Sequence, residues 1–381
     1  MIGKMGAAVA LLWLRVSAAS PSVLKVYTQG DLTAALADAH AGPTVIELGA
    51  TIILTAAVVI EGQAGLVVDG LGKYALDGQQ RVQCVVIAGS ATEVTLQNLT
   101  ITGGLVHDLG SHGFGLSISA ATVAMHGCRV TGNGAVLRNI AYGAGVFITD
   151  AAVVDMVGCT VSNNTLYGSG AGVCIFSGTV SMVVCTIANN VAFDSYGGGL
   201  YVWFPSLVTM TSCAVVNNTA TGGADIGGDG GGLYMSSEAA VLMTSCTLAG
   251  NSAMYYGGGV TVIGQYASST TFPWLMGCTF DGNSVVRNQN SADVWANHLN
   301  SPAAFPEVLS ACAAGAFNVG SGALVCKGCD GEFAADLSGA CTACPVDAPF
   351  SCCGALSASA CSAALPASCS DSEIAACGDH A

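Results

Sequence analysis

The residues of this 381-residue chain best suited to chemistry are two aspartates and an arginine, Asp150, Asp155 and Arg129. Coil stacking, argued below, would bring them close together. Two carboxylates beside a cation are the equipment of acid–base chemistry on a glycosidic bond, with one group protonated and the other charged. The plain alternative is a surface ion pair of little energetic weight. A second group is the glycine-rich segment 222–232 (GGADIGGDGGG), in which Asp225 and Asp229 offer carboxylates to Ca²⁺. One imperfect copy cannot build a stacked calcium site, so no cofactor is expected and Ca²⁺ is the single candidate. His112 and His126 lack a matching acid and read as structural.

Aromatic residues form a third group. By strand alternation Phe147, Phe176, Tyr201, Trp203 and Tyr234 project from one sheet on successive coils. A row of rings can stack on sugars while the sugar hydroxyls stay solvated, which makes these five the ligand-binding candidates. The competing expectation is that a long loop or the C-terminal region covers them. Tyr142, Tyr196 and Tyr256 each precede a glycine triplet's last residue by three positions and read as packing at a turn.

What must position these groups is an internal repeat. Six times a cysteine is followed five residues later by an asparagine: Cys128/Asn133, Cys159/Asn164, Cys185/Asn190, Cys213/Asn218, Cys246/Asn251 and Cys278/Asn283. The cysteines are 31, 26, 28, 33 and 32 residues apart. Five of them follow the third position of a Gly-x-Gly opening (GFGLSI, GAGVFI, GAGVCIF, GGGLYVW, GGGLYM) by 13 or 14 residues, and Cys278 follows GGGVTVI by 19. Such periods mean stacked supersecondary units. The segment VTLQNLTITGG (94–104) has the same shape, with Leu99 and Gly104 in the cysteine and asparagine positions. About seven coils result, each with two clear strands that pair in parallel with the next coil. At ~4.8 Å per coil the rod would be roughly 35 Å long. Alternation points Leu116/Ile118, Val146/Ile148, Val173/Ile175, Leu200/Val202, Leu233/Met235 and Val260/Val262 inward, together with each cysteine and the residue two beyond it. The cysteines then form a buried ladder; disulfides between coils are geometrically allowed, since neighbouring Cα atoms would lie within the ~4.4–6.8 Å disulfide range. The asparagines form a second structural ladder at a turn.

A helix over 31–39 followed by TVIEL, the VTLQNLTITGG opening, and the repeated Gly-Gly-x and Phe/Ile/Val-x-x-Asn elements together resemble right-handed parallel β-helix proteins. This is the pectin-lyase-like superfold, and the repeats are similar to those of chlamydial polymorphic outer-membrane proteins. The resemblance covers roughly residues 24–300 and implies an all-β solenoid with a short N-terminal helix cap. Lyases of the superfold use clustered aspartates for Ca²⁺ with an Arg or Lys base, and its hydrolases use paired Asp with His and Arg-x-Lys. Here the repeats hold only Arg81, Arg129, Arg138 and Arg287, with no Lys after Lys73, so no catalytic signature is recognisable. No C-terminal β-barrel is present either.

Composition agrees with a secreted, packed protein. Hydrophobic residues make up 52% of the chain, enough to bury a large core, yet no apolar stretch approaches the ~20 residues of a membrane span. Lys4, residues 7–14 (AAVALLWL) and Val16-Ser17-Ala18 read as a signal peptide over 1–18. The domains expected after it are the β-helix, 19–300, and a Cys-rich region, 301–381. Ten cysteines in that region (Cys312, Cys326, Cys329, Cys341, Cys344, Cys352, Cys353, Cys361, Cys369, Cys377) read as a disulfide framework of undeduced connectivity. The Cys326/Cys329/Cys341/Cys344 spacing would also suit zinc, but six further cysteines around it favour disulfides. Sequons at Asn98, Asn163 and Asn217 are glycosylation candidates, unless turn packing hides them. A net charge of −15 without a basic patch excludes nucleic acid and anionic membranes as partners. The expectation is an extracellular or cell-surface protein, non-catalytic, presenting a rigid face to polysaccharide or to a cell-surface protein. The alternatives are a polysaccharide lyase or glycoside hydrolase working in a groove along the helix, and a structural coat or wall component.

Overall fold

The computed structural model describes residues 21–39, 43–105, 112–134, 141–203, 205–222, 227–236, 239–264 and 274–287, and the backbone of the strands Val294–His298, Ala314–Val319, Gly322–Lys327, Phe333–Ala335 and Cys341–Ala343. The chain winds as an all-β parallel solenoid of about seven regular turns. Its strands form three parallel sheets of 17, nine and six strands. The third sheet, made of short strands such as Val191–Phe193, is an element the alternation pattern does not disclose. Five of its six strands have two or three residues, too short to show a period.

Each coil turns between sheets on single left-handed residues. One corner precedes the cysteine column and is occupied by Asn98, Gly127, Gly158, Val184, Ser212, Ser245 and Gly277, with φ between 50° and 62°. The other precedes the asparagine column, at Gly103, Gly132, Asn163, Asn189, Asn217, Gly250 and Gly282. One left-handed residue redirects the backbone without a loop, so the next residue again faces the interior. The inward set then follows as expected: Leu116, Ile118, Val146, Ile148, Val173, Ile175, Leu200, Val202, Leu233, Met235, Val260 and Val262 are buried in one core with the cysteines. The N-terminal end is covered by the helix Gln29–Asp38, which lays Leu32, Ala35 and Leu36 on that core and is closed by a Thr28/Asp31 capping box.

The eight described cysteines, the six of the ladder plus Cys84 and Cys174, are all free thiols. Each ladder sulfur donates to a carbonyl of the preceding coil, as from Cys159 to Met125 at 3.3 Å and from Cys213 to Met182 at 3.4 Å. Cys185, Cys246 and Cys278 do the same toward Met156, Met210 and Met243. Those carbonyls belong to a second sulfur column, Met125, Met156, Met182, Met210 and Met243, stacked in register. Its signal in the sequence is a methionine three residues before five of the six ladder cysteines, with Leu275 in that place before Cys278. Flexible thioethers fill a core whose coils differ slightly in width.

The asparagine column is a continuous chain of hydrogen bonds. Asn218 Oδ1 accepts from the backbone N–H of Asn190 at 3.1 Å and from its Nδ2 at 2.9 Å. Asn218 Nδ2 donates to the carbonyl of Ile187 at 2.9 Å and to Asn251 Oδ1 at 3.0 Å. The same pattern runs from Asn133 to Asn283.

Asn164 shows how the ladder sits relative to the turn. The left-handed turn residue is its neighbour Asn163, which stays exposed, while Asn164 lies one step past the corner and is wholly buried, at 0% exposure. Its Oδ1 accepts from the backbone N–H and the Nδ2 of Asn133 at 3.1 and 3.0 Å. Its Nδ2 donates to the Val130 carbonyl at 3.1 Å and to Asn190 Oδ1 at 3.0 Å. No atom of that amide is left for a ligand. A buried corner would otherwise orphan the backbone groups it serves. The glycine at the third position of each opening lies beneath the column. A Cβ on Gly199 would stand 2.5 Å from the Gly232 carbonyl oxygen and 3.0 Å from Asn218 Nδ2.

Replacing Asn218 by Ala leaves at least three buried groups unpaired and is expected to cost about 3–5 kcal/mol in chemical denaturation, with Gly199→Ala destabilising comparably. Val184 is a β-branched residue in the left-handed region, φ 54°, and is 61% exposed. Val184→Gly, which matches Gly127 and Gly158 at the same corner, is expected to stabilise by about 0.5–1 kcal/mol; an unchanged or lower midpoint would refute the strain.

Candidate functional site

The structure does not assemble Asp150, Asp155 and Arg129. Asp155 lies on the large sheet, in register with Ala124 and Ser181, while Arg129 lies on the second sheet, in register with Thr100 and Thr160. The left-handed corners at Gly127 and Gly158 stand between them. Asp150 sits on a left-handed bend of its own, φ 56°, and accepts a 2.6 Å hydrogen bond from the Ser119 hydroxyl. Stacking in sequence period does not carry across a corner, and the expected catalytic cluster is corrected accordingly. Among the described residues no group of three or more His, Cys, Asp or Glu converges as a metal would require. Asp225, the signal segment and the ten C-terminal cysteines lie outside the described residues; for Cys326 and Cys341 only the strand backbone is described.

The aromatic residues do come together. Register stacks Ser117, Phe147, Cys174, Tyr201 and Tyr234 in one outward column, and Thr149, Phe176 and Trp203 in the next. They form a cluster separate from the solenoid core. Tyr201 lies parallel to Trp203, 5.6 Å between ring centroids and 6° between planes, and to Tyr234, at 5.2 Å and 15°. Phe176 tilts against Phe147 and Tyr201 at 6.1 and 6.0 Å. The row is more closed than an open platform. Phe147, Tyr201 and Tyr234 are only 8%, 6% and 4% exposed, and Phe176 and Trp203 are half-buried. Burial pushes the Tyr201 and Tyr234 phenols well above their ordinary range, so both stay neutral donors.

Part of this closure comes from residues that the sequence places at the turn before the glycines. Tyr142 packs against Phe176 at 5.1 Å, Tyr196 against Tyr234 at 4.7 Å, and His112 against Tyr142 and Phe147 at 5.0 and 4.9 Å. Each precedes a left-handed glycine (Gly113, Gly143 or Gly197), whose turn folds the side chain back over the next strand. A Cβ on Gly143 would meet the Val146 carbonyl oxygen at 2.5 Å, so glycine is required there. The signal was in the sequence as the residue just before each triplet. Cys174, the outward member between Phe147 and Tyr201, is fully buried among rings, and burial raises its thiol far above the ordinary value.

Asp229 occupies the same turn column. Backbone bonds from the turn glycines join it to its neighbours, Gly197 N–H to the Asp229 carbonyl and Gly230 N–H to that of Tyr256. Its carboxyl is buried beside the tyrosines, Oδ1 has no partner, and burial pushes its pKa up to about 6 against one backbone hydrogen bond from Tyr256. Within the cysteine ladder the Cys128–Cys159 contact shifts the partners in opposite directions, Cys128 down and Cys159 up to about 12, because one thiol donates the shared proton. Burial pushes Cys84 up to about 12. The sequon residues Asn98, Asn163 and Asn217 stand exposed on left-handed corners, so turn packing does not hide them.

With this geometry in place, the comparisons with known proteins are informative about the scaffold. A family model described as the right handed beta helix region matches residues 137–323. No curated protein and no solved structure matches the chain. The fold is a parallel β-solenoid, and over residues 137–323 it matches the right-handed β-helix family. Among the described residues no helix is long and apolar enough to cross a membrane.

The buried carboxyl gives a signed pH dependence. Asp229 holds its proton more tightly folded, at about 6, than at its ordinary 3.8, so its stabilising contribution is complete below pH 3.8 and is lost as pH rises through 6. A decline on the order of 2–3 kcal/mol is expected across that window, and Asp229→Asn should remove it. A variant with the wild-type pH profile would refute the assignment. The eight described thiols are expected to resist a small aromatic disulfide reagent until the solenoid unfolds; rapid native labelling traced to them by peptide mapping would contradict their burial.

Proposed function

We propose that this chain is a non-catalytic scaffold of the cell surface or extracellular matrix, a rigid rod whose aromatic face binds a polysaccharide or protein partner. The observation that carries the reading is the parallel set Tyr201, Trp203 and Tyr234, with Trp203 and the neighbouring Phe176 keeping exposed edges. Buried rings hold the set rigid, and the half-exposed edges give a ligand apolar surface to stack on. A preformed face loses little entropy on binding. Secretion is supported by the signal-like N-terminus and by the ten cysteines of the C-terminal region, whose number suits an oxidising compartment. The resemblance of the repeats to polymorphic outer-membrane proteins supports a surface location in the same way. The dispersal of Asp150, Asp155 and Arg129 over two sheets favours binding over hydrolysis.

The test is retention on a glycan array together with a reducing-sugar release assay, with and without Ca²⁺. Retention without release is expected, and Trp203→Ala should weaken it about tenfold, the loss of ~1.4 kcal/mol of stacking. Sugar release above background would overturn the non-catalytic reading, and a wild-type chain retained on no glycan would overturn the sugar partner.

A further inference from the structure

The large sheet bends partway along each coil, and the coils cross this bend with different numbers of residues. Between the inward residues that flank it, the chain runs from Ile148 to Val154, from Ile175 to Val180, from Val202 to Val208 and from Met235 to Val241. The second of these crossings is one residue shorter than those on either side. The neighbouring coil absorbs the mismatch as a register shift between Thr149 and Ala152. A short coil between two longer ones leaves a dent in the outer surface. It measures about 320 Å³ and is lined by Ala151, Ser177, Thr179, Pro205, Ser206 and Leu207 around Gly178. That size is near the lower end of small-molecule pockets, roughly 300–1,000 Å³.

The dent is built rather than slack. The Ser177 N–H donates to Ser206 Oγ at 3.1 Å, and that hydroxyl donates to the Trp203 carbonyl at 2.8 Å, tying the short coil to the next. Two of its lining residues, Ala151 and Ser177, are non-glycines held left-handed, at 58° and 61°. The lining joins hydroxyls of Ser177 and Thr179 to apolar surface from Ala151, Pro205 and Leu207, the last 49% exposed. It contains no charged side chain. Phe176 and Trp203, paired in register, immediately precede the bend on the two coils that form the floor and one wall.

We propose that this dent is a subsite for a neutral sugar unit of a polysaccharide lying across the coils, with Phe176 and Trp203 flanking the ring and Ser177 and Thr179 meeting its hydroxyls. This rests on the glycan-binding reading given above. Apolar and hydroxyl surface side by side matches the two faces of a pyranose. Uronates are disfavoured, because the lining offers no cation and the chain carries a net charge of −15.

The experiment is calorimetric titration of the full chain with neutral hexasaccharides of glucose, xylose, mannose and N-acetylglucosamine, and with a galacturonate hexamer. Thr179→Met and Thr179→Trp both fill the dent from an exposed position, and only the second adds a ring. Binding of a neutral hexamer, weakened tenfold or more by both fillings at an unchanged melting temperature, is the expected result. If Trp203→Ala weakens binding while both fillings bind as wild type does, the dent is overturned and the aromatic face stands. If only the galacturonate hexamer binds, the neutral class is overturned. If no hexamer binds, the subsite falls together with the glycan reading on which it rests.

Discussion

The asparagine amide just past each corner, lying between two coils and over a glycine, is the constraint on which the rest depends. A solenoid corner removes backbone groups from sheet pairing and buries them, where an unpaired group costs about 1–3 kcal/mol. The Asn133–Asn283 column answers this with one side chain per coil that accepts twice and donates twice. The amide needs room, and the glycine at the third position of each opening supplies it: a Cβ on Gly115, Gly145 or Gly172 would stand 2.8 to 2.9 Å from the asparagine Nδ2 beneath. The two repeated features of the sequence are therefore two sides of one contact. A solenoid gains its stability from such nearest-neighbour terms, added coil by coil.

Fixing that contact fixes the register of every strand that follows a glycine triplet. Positions one residue after each inward-pointing residue then stack without offset, and what they carry becomes a surface feature of several coils at once. Ser117, Phe147, Cys174, Tyr201 and Tyr234 are the same position read five times. The interior tolerates modest variation in coil width because two of its columns are sulfur side chains. The outside does not average such variation away. Where one crossing is a residue short, the difference shows as the dent beside Trp203.

The scaffold was legible because it repeats. Cysteine and asparagine spacing gave the coil, and alternation gave the inward residues from Leu116 to Val262. Spacing alone did not separate the exposed corner at Asn163 from the buried amide of Asn164 beside it, because both are asparagine and only backbone handedness tells them apart. The helix is visible in Leu32 and Leu36, while its cap at Thr28 lies outside that apolar spacing. The face was legible only in part. Alternation placed Phe147, Phe176, Tyr201, Trp203 and Tyr234 on the outer side, but it carried no information about how far neighbouring rings close over them. Tyr142, Tyr196 and His112 join the cluster because a left-handed glycine folds them back, a rotation that a period-two pattern cannot represent. The methionine column was present in the text of the sequence and was hidden by the cysteines next to it.

By itself the sequence determined the parallel solenoid, its coil boundaries and the two ladders, since these follow from residue type at a fixed period and from local backbone preference. Only the tertiary structure decided which outward residues are accessible and which candidate residues meet. Asp150, Asp155 and Arg129 fit one cluster by coil period, yet single left-handed corners send them to different sheets. Asp229 looked like a loop ligand and is instead a buried carboxyl among tyrosines. The physical reason is common to both. Periodicity reports which residues are equivalent from coil to coil, whereas direction around the coil and burial depend on corner geometry and on the size of neighbours in the stack.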